Sequence, residues 1–194
     1  NHFISFISLV SMLGIALGVA ALIIVISVMN GFELELRSRI LGMVSHATIT
    51  EPGANLKDWP RVAEAARQNP EVVGAAPYIE REGMLQSKRI SGVMIRGVVP
   101  ELEASVSEVT GKMQQGEFGS LVSGEYHIVL GSELAYLLGV RVGDYVTLMA
   151  PQVRATPVGV IPQMRRFQVT GIFEVGMFEY DRGFAFVHIE DAAK

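Results

Sequence analysis

The sequence predicts an α+β protein, an N-terminal transmembrane helix followed by a mixed domain with a β-α-β core. Three observations carry that reading. Residues 3–32 contain no charged side chain. The remainder alternates short strand-like runs with brief helical ones. A long basic and apolar stretch with three prolines, "PQVRATPVGVIPQMRRF", lies between two of those strand-like runs.

The apolar run comes first. Thirty helical residues span roughly 45 Å, and a bilayer core needs only about 20 residues. A signal peptide has an apolar core of roughly 7–15 residues and a small-residue cleavage site. This run is longer, and Met29-Asn30-Gly31-Phe32 is no such site. Thirteen Leu, Ile and Val side chains lie within residues 7–28. At about −0.3 to −0.6 kcal/mol each they favour insertion by roughly 4–8 kcal/mol. Gly14 and Gly18 form a GxxxG, and Ala16 and Ala20 repeat its spacing, which suits close approach of another helix.

The helical pattern continues through "NGFELELRSRILG". Phe32, Leu36 and Ile40 recur every four residues, and Glu33–Arg37 and Glu35–Arg39 are acid-then-base pairs at i,i+4. Residues 1–44 therefore form one expected unit, a membrane helix with an amphipathic stalk. Val25, Val28, Met29, Phe32 and Leu36 share a side of it. Methionine there suits a variable ligand, and ordinary packing against another helix explains the same stripe.

Residues 45–194 read as the mixed domain. "SHATITEP" alternates as a strand. "NLKDWPRVAEAARQN" reads as a helix with Asn55 as N-cap and Asn69-Pro70 as its stop. "EVVGAAPYIE" and "GMLQSKRISGVMIRGVVP" supply two or three strands, and residues 100–122 short helical turns. "YHIVLG", "SELAYLLGV" and "GDYVTLMAP" read as strand, helix and strand, with Ser132 as the helix cap. "RFQVTGIFEVG" and "GFAFVHIE" close the domain as strands. The middle part, about 101–150, is expected as a subdomain inserted before the final strand. The chain starts without Met and stops at "IEDAAK", which reads as an excerpt of a longer protein.

Composition excludes several functions. Sixteen basic against twenty acidic residues give a net charge of −4, unsuited to general nucleic-acid binding. No cysteine supports thiol chemistry. No GxxxxGK[ST] loop is present to cradle a nucleotide phosphate. His2, His46, His127 and His188 are scattered without metal-ligand spacing. No catalytic set, metal site or cofactor is expected.

Residues 151–166 are expected as a long loop, where a hairpin would need about 2–5 residues. Val153, Val158, Val160, Ile161 and Met164 make it too apolar for a disordered segment. Pro151, Pro157 and Pro162 restrict φ and stiffen it. Such a loop presents an apolar tip, Thr156-Pro157-Val158-Gly159, to a partner, with Arg165 and Arg166 at its base to meet acids. A loop folded back over its own domain fits the same residues.

These pieces together resemble a known family. "GIALGVAALIIVISVMNGFELELRSRILG", "VVGAAPYI", "IRGVVP", "IVLGSELAYLLGVRVGDYV" and "VTGIFEVGMFEYD" are similar to the lipoprotein-releasing permeases of the LolC/LolE type. The resemblance implies a multi-pass membrane subunit of an ABC transporter in the bacterial inner membrane. Its MacB-like domain would stand in the periplasm, with three further membrane helices beyond this sequence. It implies a separate LolD-type ATPase, a second permease subunit of the LolC/LolE type or a second copy, a lipoprotein substrate, and a LolA-type periplasmic carrier.

By the same resemblance, Pro151, Thr156, Pro157, Val158, Gly159 and Pro162 belong to a carrier-binding hook, which looks one residue shorter than the family's. Arg165, Met164 and Thr147 fall at a carrier-binding pad. Met164 stands where a polar residue is expected, and Thr147 where an arginine is. Val25, Val28, Met29, Phe32 and Leu36 fall where acyl chains of the lipoprotein would sit. A proline-bounded hook marks the LolC type, or a single-gene version serving both roles. Rival readings are a MacB-like efflux subunit, an FtsX-like signalling subunit, or a membrane-anchored envelope enzyme.

Overall fold

The structure is a computed structural model that describes residues 2–42, 45–51, 56, 58–156 and 159–194. It falls into two compact units, Asn1–Gly42 and Met43–Lys194. The first is one helix, α1 (His2–Leu41). No proline interrupts residues 2–41, so the backbone ladder can run unbroken. Its stretch Phe3–Glu35 is long and apolar enough to cross a membrane.

The second unit contains α2 (Trp59–Arg67), β1 (Tyr78–Gln86), β2 (Ile90–Val98), α3 (Pro100–Glu103), β3 (Met113–Gly116), β4 (His127–Gly131) and α4 (Ser132–Leu138). It continues with β5 (Tyr145–Thr156), β6 (Gly159–Phe173), α5 (Phe178–Gly183), β7 (Phe184–His188) and α6 (Ile189–Ala192). The strand pairings run β6–β4–β7–β2–β1–β5 and return from β5 to β6, so six strands close into a ring. β3 pairs with β6 alongside it. Two of the contacts, β2–β7 and β4–β6, are parallel, and the other four are antiparallel.

Each ring strand sends alternate side chains inward. Leu85, Val93 and Ile95, Ala185 and Val187, Ile128 and Leu130, Val146, and Phe167 and Val169 form one buried core. Leu134, Ala135 and Leu138 of α4 join it. Interiors of small barrels are filled by side chains in this way. A second core includes Val98, Val129, Phe173 and Phe186 with Phe118, Leu121 and Tyr180. Val129 and Phe186 alternate with the inward residues, so β4 and β7 are buried on both faces.

Glycine makes one junction possible. A Cβ on Gly131 would lie 2.0 Å from the backbone oxygen of Asp181. The end of β4 thus abuts the α5 backbone directly. The buried Asp181 carboxylate accepts hydrogen bonds from Val175 and Gly176 N–H at 2.8 and 3.0 Å, which fixes the turn after β6.

Several sequence expectations change. Residues 45–50 form no strand, and Glu51 makes only a single bridge. The ring closes without that segment, so its alternation finds no ladder. β1 begins at Tyr78, immediately after Pro77, whose missing N–H cannot join a ladder. Gly131, not Ser132, occupies the N-cap of α4, with no side-chain cap. Asn55 lies outside the described residues. Residues 151–156 and 159–166 are not an irregular loop but the outer halves of β5 and β6. The portion about 101–150 shares the closed ring through β4 and β5, so the sheet itself does not divide there.

Candidate functional site

The proline-rich stretch is a two-stranded ribbon. β5 and β6 pair from Tyr145↔Gln168 to Thr156↔Gly159, with a bulge between Ala150 and Val153. β1 reaches only as far as Met149, and β4 begins its pairing with β6 at Gln168. Among the described residues, the ribbon beyond Ala150 and Gln163 pairs with no other strand. Six residues of strand extend up to about 20 Å.

This geometry gives the prolines a different role from stiffening a loop. Exposed strand edges are templates for unwanted pairing, and proline blunts them by removing an N–H. Pro151 sits in the bulge, and Pro162 stands opposite Val153. Bulges and edges are where sheets accept proline. Pro157 and Val158, the expected tip, lie outside the described residues. The side chains of Pro151, Thr156 and Pro162 also lie outside the described part.

At the ribbon's base, three strands share successive rungs. Gln86, Thr147 and Arg166 stand in one row across β1, β5 and β6. Leu85, Leu148 and Arg165 form the next, and Met84, Met149 and Met164 the last. Leu85 and the neighbouring Val146 and Phe167 are core residues, so the middle row faces inward. The rows on either side face outward. The structure therefore brings Thr147 and Met164 together with Arg166. Arg165 takes the other face.

Both arginines lie over aromatic rings. The Arg166 guanidinium carbon is 4.0 Å from the Tyr145 ring centre. That of Arg165 is 4.9 Å from Tyr126, whose ring also meets Phe167 edge-on at 5.6 Å. Tyr126 has φ +53°, a left-handed conformation unusual for a bulky side chain. Stacking presents each cation in a fixed place at the surface.

Helix α1 carries the other expected residues. Val25, Val28, Met29 and Phe32 are exposed. The side chain of Leu36 lies outside the described part. At 3.6 residues per turn, Gly14 and Gly18 fall on the same side of the helix as Val25, Met29 and Phe32. Cβ atoms at Gly14 and Gly18 would meet nothing. One stripe thus starts narrow and ends broad.

The family of known domains described as MacB-like periplasmic core domain matches residues 8–194. The chain belongs to that family. Together with α1, this makes the chain part of a membrane protein carrying a MacB-like domain. Over all of its length it is 51% identical to "Lipoprotein-releasing system transmembrane protein LolC" of Xylella fastidiosa, covering 47% of that relative. It is 42% identical to the protein of the same name from Neisseria meningitidis over 99% of the chain and 46% of the relative. It is also 35% identical to "Lipoprotein-releasing system transmembrane protein LolE" of Haemophilus influenzae, over 93% of the chain and 44% of the relative. The chain spans about half the length of these relatives.

The MacB-like domain also holds a polar cluster that the sequence reading missed. Arg96 Nε and Nη2 donate to Glu80 Oε1 at 2.9 and 2.5 Å. Its guanidinium lies over Tyr78 and Phe184, and Tyr180 stacks on Phe184. Burial raises the pKa of Glu103, against the opposing field of Arg96. Pairing Glu80 with Arg96 needs the β1–β2 register, which no local sequence motif announces. The cluster joins β1, β2, α3 and α5 and is a packing device. Met84 and Met149 were missed as well, because their alignment with Met164 depends on two strand registers, β1–β5 and β5–β6.

Proposed function

We propose that this chain is the membrane-anchored and periplasmic portion of a LolC-like permease subunit, which extracts lipoproteins from the bacterial inner membrane and hands them to a periplasmic carrier. The observation that carries the reading is the ribbon beyond Ala150 and Gln163, unpaired on both outer edges among the described residues, in a chain similar throughout to relatives named for lipoprotein release. A partner can clasp such a projection from either edge.

In this reading residues 151–162 grip a LolA-type carrier, with Pro157, Val158 and Gly159 at the tip. Thr147, Met164 and Arg165 form the pad at the base. A carrier touching all three must wrap the free edge of β6, because Arg165 lies on the opposite face from Met164. The stripe Val25, Val28, Met29, Phe32 and Leu36 lines the acyl-chain site, and Gly14 and Gly18 support close helix packing below it. A second LolC- or LolE-type subunit, or another copy, supplies the facing helix. Each buried CH₂ of a lipid anchor is worth about 0.8 kcal/mol, so extraction must be driven. A LolD-type ATPase subunit supplies that work.

The test is a ribbon truncation. Ala150 and Gln163 are cross-strand partners, so an Asn-Gly turn joining them should close the hairpin cleanly. The truncated full-length subunit should assemble with its ATPase and fail to co-purify with the carrier. Carrier binding that survives truncation sinks the assignment.

A further inference from the structure

We propose that the outward row Met84–Met149–Met164, with Arg166 on the same face, forms a second seat for the soluble carrier that starts from the pad residue Met164 and extends the contact off the ribbon and onto β1. The inference rests on the reading of the ribbon as the carrier's grip. The three methionines are directly opposite one another across β1, β5 and β6. Cβ atoms of such cross-strand neighbours lie about 4.5–5.5 Å apart, so the side chains form one surface. Met84 is 48% exposed and Met164 57%, with Met149 between them half-buried.

Single exposed apolar residues are ordinary on protein surfaces. This surface is larger. Met94 and Ile90 flank Met84 on the outward face of β2, and Ile90 is exposed. Gly92, opposite Met84, leaves open space where a side chain would stand. Four of the nine methionines in the chain thus share one sheet face. The equivalent face of β4 and β7 is covered by the second core, whereas nothing among the described residues covers this one. Contiguous exposed apolar surface marks contact sites.

Position and charge select the occupant. The methionine row is the last rung before the ribbon leaves the ring, so a protein gripping the base of the ribbon on its outward face lies over it. Arg166 is exposed on the same face, two rungs away, and its stack on Tyr145 fixes the cation there. The fitting partner is therefore a soluble protein with an apolar mouth edged by carboxylates on the Arg166 side. Methionine adapts its shape to what it meets. That suits a carrier that must be gripped both empty and loaded.

The experiment uses the full-length protein in its assembled membrane complex and purified lipoprotein carrier as the probe. Met84→Glu should weaken carrier binding about tenfold or more, as loss of a buried interface contact does. Met84→Leu should bind within about twofold of wild type, since the swap conserves volume and apolarity. The ribbon truncation should abolish binding. If the truncated protein still binds, the functional reading itself fails. If truncation abolishes binding while Met84→Glu binds like wild type, the second seat alone is overturned. A photocrosslinking residue at position 84 gives an independent readout should Met84→Glu not fold. Capture of the carrier supports the seat, and capture of only a second permease chain, or of nothing, overturns it.

Discussion

Thr147 stands directly opposite Arg166 on the outward face of the sheet, while Arg165, the next residue along β6, faces the other way. Two adjacent arginines are therefore expected to respond differently to mutation. Arg166→Glu should slow carrier association at low salt and have a smaller effect as salt rises, because exposed charges are screened within about 8–10 Å at physiological ionic strength. Stopped-flow binding over a salt series measures this. An effect that does not change with salt rules out steering by Arg166.

Arg165→Ala should appear in stability as well as in carrier binding. Its guanidinium braces Tyr126, a residue held at φ +53°. Loss of an exposed cation–π contact costs about 0.5–1 kcal/mol. A double-mutant cycle with Tyr126→Leu isolates the coupling. Additive single effects would show that the contact contributes nothing.

Gly131→Ala should be among the most damaging small substitutions in the domain. The added methyl would meet the Asp181 backbone oxygen at 2.0 Å, and backbone cannot swing aside as a long side chain can. Overpacking typically costs about 1–3 kcal/mol, and this contact belongs at the upper end. Denaturant unfolding gives the value. Gly111→Ala is the matched control, since a Cβ there meets nothing.

Residues 3–32 declare a membrane helix by composition alone. Strand β4 and helix α4 follow from local alternation and spacing, and their bounds came within a residue or two of expectation. Ring closure was not readable, because β5 must pair with both β1 and β6, and no local pattern encodes a non-local register. Residues 151–166 misled for a related reason. Their prolines argued against strand, yet two-stranded ribbons place proline at bulges and free edges without losing the ladder elsewhere. The pad residues were grouped by the family resemblance. Thr147 and Met164 share the outward face, and strand alternation puts Arg165 on the other.

Glu103 should make stability depend on pH. It is 3% exposed, and burial raises its pKa above the ordinary glutamate value, with Arg96 opposing. A carboxyl group with a raised folded-state pKa binds its proton more tightly when folded. Stability from this group is therefore fully present below the unfolded-state pKa and lost as pH rises through the folded-state one. Glu103→Gln should flatten the profile above the ordinary glutamate range. The difference in slope from wild type can reach about 1.4 kcal/mol per pH unit for one proton. Parallel urea titrations of both proteins over that range decide it, and parallel profiles would place the linked proton elsewhere.

The stripe on α1 invites a paired test of its two halves. Gly14 and Gly18 share a side with Val25, Met29 and Phe32 but hold no side-chain bulk. A partner helix can approach closely at the small residues and must stand off at the large ones, which leaves room between the helices at the upper half. Gly18→Leu should loosen the permease pair and lower the yield of assembled complex. Met29→Arg should leave assembly intact. An arginine in the membrane costs about 2.5–3.5 kcal/mol at mid-span, less than the roughly 4–8 kcal/mol contributed by the aliphatic residues around it. The charge should instead exclude a lipid anchor from the space. Lipoprotein release from reconstituted vesicles separates the two halves. Normal release by Met29→Arg would remove the acyl-chain assignment while leaving the helix-packing one standing.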